Sequence, residues 1–209
     1  MKIVGILGSP SATSRSGSLL QLAQSHLQGV ATNLHTVSVR DLPPDALLHA
    51  QFDHPSIRHA LDEIESAQIV LVCTPIYKAA YSGLLKAFLD LLPQDGLRDK
   101  TVLPLATGGS MAHLLALDYA LKPVLSALGA RDILDSVYAT DTQIAKHPTD
   151  GYQPGPEVHE RVGRILQKVI ERGEAAQRQE AARREAARVL AHTVPEAQPW
   201  LTRDVRWST

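Results

Sequence analysis

Three stretches of this chain are apolar almost without interruption: residues 2–8 (KIVGILG), 68–73 (QIVLVC) and 101–107 (TVLPLAT). A strand with one face in water alternates apolar and polar residues. These runs do not alternate, so both of their faces must be covered. Two weaker runs, 34–39 (LHTVSV) and 133–139 (ILDSVYA), bring the set to five. Helical patterns separate them at 16–27, 56–67, 82–92 and 112–129. Buried strands alternating with helices of this length predict a doubly wound parallel sheet joined by right-handed crossovers.

Five strands fit the flavodoxin-like α/β arrangement, order 2-1-3-4-5, in which ligands lie beyond the carboxyl ends of the strands. From about residue 141 the composition shifts to Pro, Gly and polar residues, read as a loop, and residues 157–192 then return to a helical pattern. That last helix is long, rich in alanine and laced with Glu–Arg pairs three and four apart, the pattern of an exposed or oligomer-bracing helix. We divide the chain into a domain over 1–170 and a helical extension and tail over 171–209, which carries both tryptophans, Trp200 and Trp207.

The net charge of −1 argues against a nucleic-acid binder, which shows a basic excess. The single cysteine, Cys73, lies within an apolar run and has no internal disulfide partner, as expected of a buried thiol in a reducing compartment. The first apolar run is too short for a signal peptide or membrane span, so a cytoplasmic protein is expected.

In a parallel sheet the loops after the first, third and fourth strands converge at one edge, and here they are chemically distinctive. The first, GSPSATSRSGS (8–18), has neither the dinucleotide fingerprint nor a Walker A lysine. It offers many hydroxyls and Arg15 just ahead of a helix, a setting for a phosphate monoester or, more simply, a solvated loop with an ordinary N-cap. The second, TPIYKAAYSG (74–83), begins with a proline expected to turn the strand sharply, and its Ile76 and Tyr77 can lie along a planar ring or fill core. The third, TGGSMAH (107–113), has two glycines that admit close approach to the backbone, although Gly-Gly is also common turn punctuation. Together these loops fit a mononucleotide with a flat heterocycle, and FMN better than a dinucleotide.

The motifs GSPS…SRSGSLL, TPIYKAAYSGLLKAFLDLLP and LPLATGGSMAHLLALDYALKPVLSALGA closely resemble the NADPH-dependent FMN reductases of alkanesulfonate utilisation, over roughly residues 1–170. The resemblance implies reduction of FMN by NADPH, with NADH possible as donor. It also implies delivery of diffusible reduced FMN to an FMNH2-dependent monooxygenase, and a homodimer or homotetramer. Carried over by motif position, Ser9, Ser14, Arg15 and Ser16 hold the flavin phosphate. Pro75, Ile76, Tyr77 and Lys78 line the ring and ribityl chain, and Thr107, Gly108, Gly109 and Ser110 contact the pyrimidine edge. Many relatives carry arginine where this chain has Ser11, which leaves Arg15 as the cation of the first loop. The amides of Gly108 and Gly109 are the candidates to stabilise charge that grows on the reduced ring.

Within the 112–129 pattern, Leu114, Leu117, Leu121, Val124, Leu125 and Leu128 share one face. Tyr119 stands at the margin of a second face of small residues, suited to another subunit. Pro123 has no N–H, so the Tyr119 carbonyl loses its partner four residues on, and the next donor is Val124, which predicts a π-bulge. The resembled family is known for a tyrosine inserted in a π-helix here, associated with release of flavin as a substrate. Tyr119 matches it. The alternatives are a reductase of quinones or azo dyes that retains FMN, and a flavodoxin-type carrier, for which a near-neutral chain is a poor fit.

Overall fold

The computed structural model describes residues 1–149 and 151–193. Its strands are β1 (Lys2–Leu7), β2 (Asn33–Ser38), β3 (Ile69–Tyr77), β4 (Ala80–Tyr81), β5 (Thr101–Gly108), β6 (Asp132–Ile133), β7 (Val137–Thr140), β8 (Ile144–His147) and β9 (Gly151–Pro154). The main sheet runs β2-β1-β3-β5, and then β6 and β7, two pieces of one line, flank β5. All of these pairs are parallel. Counted by lines, this is the flavodoxin-like order 2-1-3-4-5 expected from the sequence.

The fifth line is broken for a reason visible in its neighbour. Thr101 and Val102 pair with Asp132 and Ile133, whereas pairing resumes at Leu105 with Val137, so the outer line carries one extra residue opposite Pro104. Proline cannot donate to a ladder, and a bulge is where a sheet accommodates it.

Alternation along each strand splits the core in two. Val4, Ile6, Val70, Val72, Val102 and Ala106 face one side, which is covered by α3 (Pro55–Glu65), α4 (Gly83–Leu89) and α5 (Lys122–Ala127). Ile3, Ile69, Leu71, Cys73, Leu103 and Leu105 face the other, under α1 (Arg15–Leu27) and the first turns of α6 (Pro156–Thr193). The remaining helix, α2, is the short Pro44–Leu48. Each fully buried aliphatic side chain contributes about 1.5–3 kcal/mol of apolar transfer. Met1–Glu174 forms one compact unit, and the described part of α6 from Ala175 onward belongs to a second. Trp200 and Trp207 lie outside the described residues. Among the described residues no helix is long and apolar enough to cross a membrane.

Several expectations need correction. The segment after residue 141 is an antiparallel hairpin, β8 with β9, rather than a loop, and it is anchored by the fully buried Ile144. The pattern over 82–92 stays helical only to Leu89, and Leu91 and Leu92 are buried beyond the helix end, just before Pro93. The pattern over 112–129 is not one helix. A 3₁₀ turn (Met111–His113) is followed by a π-helical turn (Leu117–Leu121) and then by α5. Of the proposed apolar face, Leu117, Leu121 and Leu125 are fully buried, Val124 and Leu128 pack partly on the core, and Leu114 is exposed.

Cys73 is fully buried on β3, and its Sγ donates to the Ser16 carbonyl at 3.0 Å. Burial pushes the thiol pKa far above its ordinary value. An unfolded thiol ionises near pH 8.5, while the folded one stays protonated. The Cys73 contribution is therefore intact below about pH 8.5 and is lost above it by about 1.4 kcal/mol per pH unit. We expect Cys73→Ala to flatten the fall in stability between pH 8 and pH 10, measured by urea unfolding. Equal slopes in parent and variant would refute it.

Candidate active site

The first loop is pinned by close approach. Gly8 donates its N–H to the Cys73 carbonyl at 2.8 Å, and a Cβ added at Gly8 would lie 2.5 Å from Cβ of Leu85 on α4. Ser82, the N-cap of α4, accepts from the Leu85 amide at 3.1 Å and donates to the Gly8 carbonyl at 2.5 Å. Ser14 is the N-cap of α1 and accepts from the Gly17 amide at 3.0 Å. The first-turn amides of Arg15 and Ser16 have no carbonyl one turn back within the helix. Ser9 is fully buried, and the Ser16 hydroxyl lies 2.7 Å from the Thr107 hydroxyl, tying the first loop to the third.

Strand β3 does not turn sharply at Pro75, as the sequence had led us to expect. It continues to Tyr77, with Pro75 in register with Thr107. Pairing with β1 ends at Cys73, so Pro75 sits where one flank of the strand is open, a position that tolerates proline. The reversal comes at Lys78 and Ala79, between the paired Tyr77 and Ala80. Both have left-handed backbones, with φ of 51° and 63°. A type I′ two-residue hairpin turn has positive φ at both central positions, and non-glycine residues there cost about 1–2 kcal/mol each.

In the third loop, a Cβ at Gly108 would lie 2.5 Å from the Tyr138 hydroxyl. That hydroxyl donates to the Ser110 carbonyl at 2.6 Å and supports the loop from beneath. Burial raises the Tyr138 pKa, which keeps the phenol protonated as a donor. A Cβ at Gly109 would meet nothing within 4 Å, so its backbone is open to approach.

A cleft of about 340 Å³ opens at this edge, within the range of small-molecule sites. Ser9, Ser14, Arg15 and Ser16 line it from the first loop, Pro75, Ile76 and Tyr77 from the second, and Thr107, Gly108 and Gly109 from the third. Lys78, Ser110 and Tyr119 are not on this lining. Lys78 is at the exposed hairpin tip, and the Ser110 hydroxyl accepts from the Ala112 amide at 3.2 Å. Sequence reasoning missed Asp141, which follows the end of β7, and Tyr152, which the hairpin brings to the cleft wall. The Asp-Gly pair at 150–151 was the available hairpin signal. Arg15 is also more engaged than its sequence position conveyed. Its Nε donates to the carbonyls of Asp141 at 3.2 Å and Ile144 at 3.0 Å, and its guanidinium lies 4.7 Å from the Tyr152 ring centre. Among the described residues, no group of three or more His, Cys, Asp or Glu converges as a metal site.

Tyr119 lies within the π-helical turn and is 80% exposed. The five-residue bond runs from the Lys122 amide to the Leu117 carbonyl, two residues upstream of the expected Tyr119–Val124 bond. Asp118 and Lys122 form an ion pair at 2.5 Å across it. The turn packs against β4, the short strand that completes the second loop's hairpin.

Residues 1–144 match the family model described as NADPH-dependent FMN reductase. The chain belongs to this family. The reductase is 52% identical over 145 residues to an FMN reductase (NADPH) of Pseudomonas putida, covering 69% of this chain and 74% of that protein. It is 49% identical over 144 residues to the FMN reductase (NADPH) of Escherichia coli, covering 69% and 75%. An NADH-dependent FMN reductase, SfnF, of Pseudomonas fluorescens is 35% identical over 150 residues, covering 70% of this chain and 80% of that one. Among solved structures, the apo form of an NADH:FMN oxidoreductase (EMOB) superposes with a TM-score of 0.72 at 39% identity, covering 80% of the reductase and 87% of that chain. The reductase is therefore an oxidoreductase, with FMN and NAD(P)H as its redox partners.

Proposed function

We propose that this reductase uses FMN as a substrate that dissociates in every cycle, and that it passes reduced FMN to a separate FMNH2-dependent monooxygenase acting on alkanesulfonates. One observation carries the dissociable-substrate reading: an exposed tyrosine, Tyr119, on a π-helical turn packed against β4. Wide turns of this kind concentrate at functional sites. The alkanesulfonate link rests on the sequence resemblance.

In this reading the first-turn amides of α1 and the hydroxyls of Ser9, Ser14 and Ser16 receive the flavin phosphate, beside Arg15. Pro75, Ile76 and Tyr77 form the wall along the ring and ribityl chain. Thr107, Gly108 and Gly109 border the pyrimidine edge, with Ser110 next along the loop behind them, and the glycine amides supply fixed donors to growing negative charge. Bound flavin supplies the hydride acceptor for the nicotinamide, so the chain's task is to stack and orient the two rings. Lys78, exposed at its hairpin tip, is placed to meet a phosphate of NADPH. NADPH is the proposed donor, in keeping with the relatives near half identity, and NADH is the alternative.

Met111, Leu115 and Tyr119, spaced by four and 56%, 56% and 80% exposed, supply an apolar face for a second copy, so a homodimer or homotetramer is part of the proposal. So are a reductase domain over 1–170, an extension over 171–209 and a cytoplasmic location. The test is steady-state oxidation of NADPH and of NADH against added FMN. Colourless purified protein and saturation in FMN are expected. Full activity on a quinone or azo dye with only trace flavin would replace this reading with a reductase that retains its FMN.

A further inference from the structure

We propose that Asp141 limits how tightly the reductase grips the phosphate of FMN, by standing against the cleft's only lining cation among the described residues, Arg15. The inference rests on the seating of the phosphate in the first loop. Two formal charges line the cleft, Arg15 and Asp141, and they lie together, with Nη1 of Arg15 3.5 Å from Oδ2 of Asp141. The arginine does not depend on that carboxylate for its place. Its Nε is held by two backbone carbonyls and its plane by the Tyr152 ring. Asp141 is fixed in turn by its own amide, which donates to the Gly108 carbonyl at 3.0 Å. The carboxylate therefore adds no hydrogen bond that the hairpin needs, yet it cancels the positive charge offered to the ligand.

A phosphate monoester carries about −1.5 to −2 charges near neutral pH. At this wall it meets hydroxyls and amides but no net positive charge, and it is repelled by a carboxylate held on the same loop system. Donors of fixed geometry then select the phosphate, while the balanced charge keeps it from being held for long. A reductase that must release its flavin needs both properties.

The experiment is fluorescence titration of FMN and of riboflavin, which lacks the phosphate, against the parent protein and Asp141→Asn. Asp141→Ser is measured beside it, so that the result does not rest on one folded variant. Both variants are expected to bind FMN roughly tenfold more tightly, with riboflavin shifted by less than about twofold. The gain for FMN should shrink as salt is added. Unchanged or weaker FMN binding overturns the proposal, and so does an equal gain for riboflavin, which would show a repacked loop rather than a removed charge. A parent protein that binds FMN and riboflavin equally well would overturn the phosphate seating itself, and this inference with it.

Discussion

Tyr119→Ala is expected to purify yellow, with FMN bound, and to turn over added FMN more than about tenfold more slowly as release becomes the limiting step. The side chain is 80% exposed, so its removal costs the fold little, as for surface substitutions generally. The π-helical turn itself should survive, because the Lys122–Leu117 bond and the missing N–H of Pro123 do not involve the tyrosine ring. What changes is the surface on the turn that packs against β4, and β4 completes the hairpin that walls the cleft. The exposed ring beside that hairpin is the group expected to speed the departure of flavin, and its loss to lengthen the flavin's stay. The flavin absorbance of purified protein and the turnover of added FMN measure the two halves of the expectation. Colourless protein with parental turnover would remove Tyr119 from any part in release.

The largest effect on stability is expected at Gly8. Its Cβ position lies 2.5 Å from Cβ of Leu85 and 3.3 Å from Cα of the same residue, so neither a rotamer change nor a flexible tip can relieve the clash. Helix α4 or the end of β1 must move, against the bonds Ser82 Oγ to Gly8 O and Gly8 N to Cys73 O. Overpacking of this kind costs about 1–3 kcal/mol. Gly8→Ala should lower the urea midpoint accordingly, without changing the slope of the transition. Gly83→Ala is the matched control, since a Cβ there meets nothing within 4 Å. A loss below about 0.5 kcal/mol at Gly8 would show that α4 yields freely.

The sheet was legible because covering both faces of a strand leaves a near-continuous apolar run, and β1, β3 and β5 each have one. The three loops were legible because their hydroxyls, glycines and tyrosines are chemically marked, and twelve of the residues they supplied line one cleft. The hairpin β8–β9 was not legible. Its strands are short and mostly polar, and Ile144 is their one fully buried apolar residue, so no periodicity announced it. Tyr152 escaped for the same reason, since it reaches the cleft only once that segment packs against α1, whereas Asp141 directly follows β7, the end of a run that the sequence marked only weakly. At Pro75 local preference was overridden by where β1 stops pairing, a fact that no window around the proline contains. Pro123 gave the reason for a wide turn, but the bond that widens forms between Leu117 and Lys122, upstream of it.

The three loops are stitched to one another rather than hung separately from the sheet. Gly8 is bonded to Cys73 and Ser82, Ser16 to Thr107, Tyr138 to Ser110 and Asp141 to Gly108. A vestibule built this way behaves as a socket and not as a jaw. In the proposed cycle of flavin exchange, dwell time in such a socket follows from its own affinity rather than from a gate. In such a socket, speed of exchange and tightness of hold are one adjustable quantity, so selection for faster delivery acts directly on the residues that touch the guest.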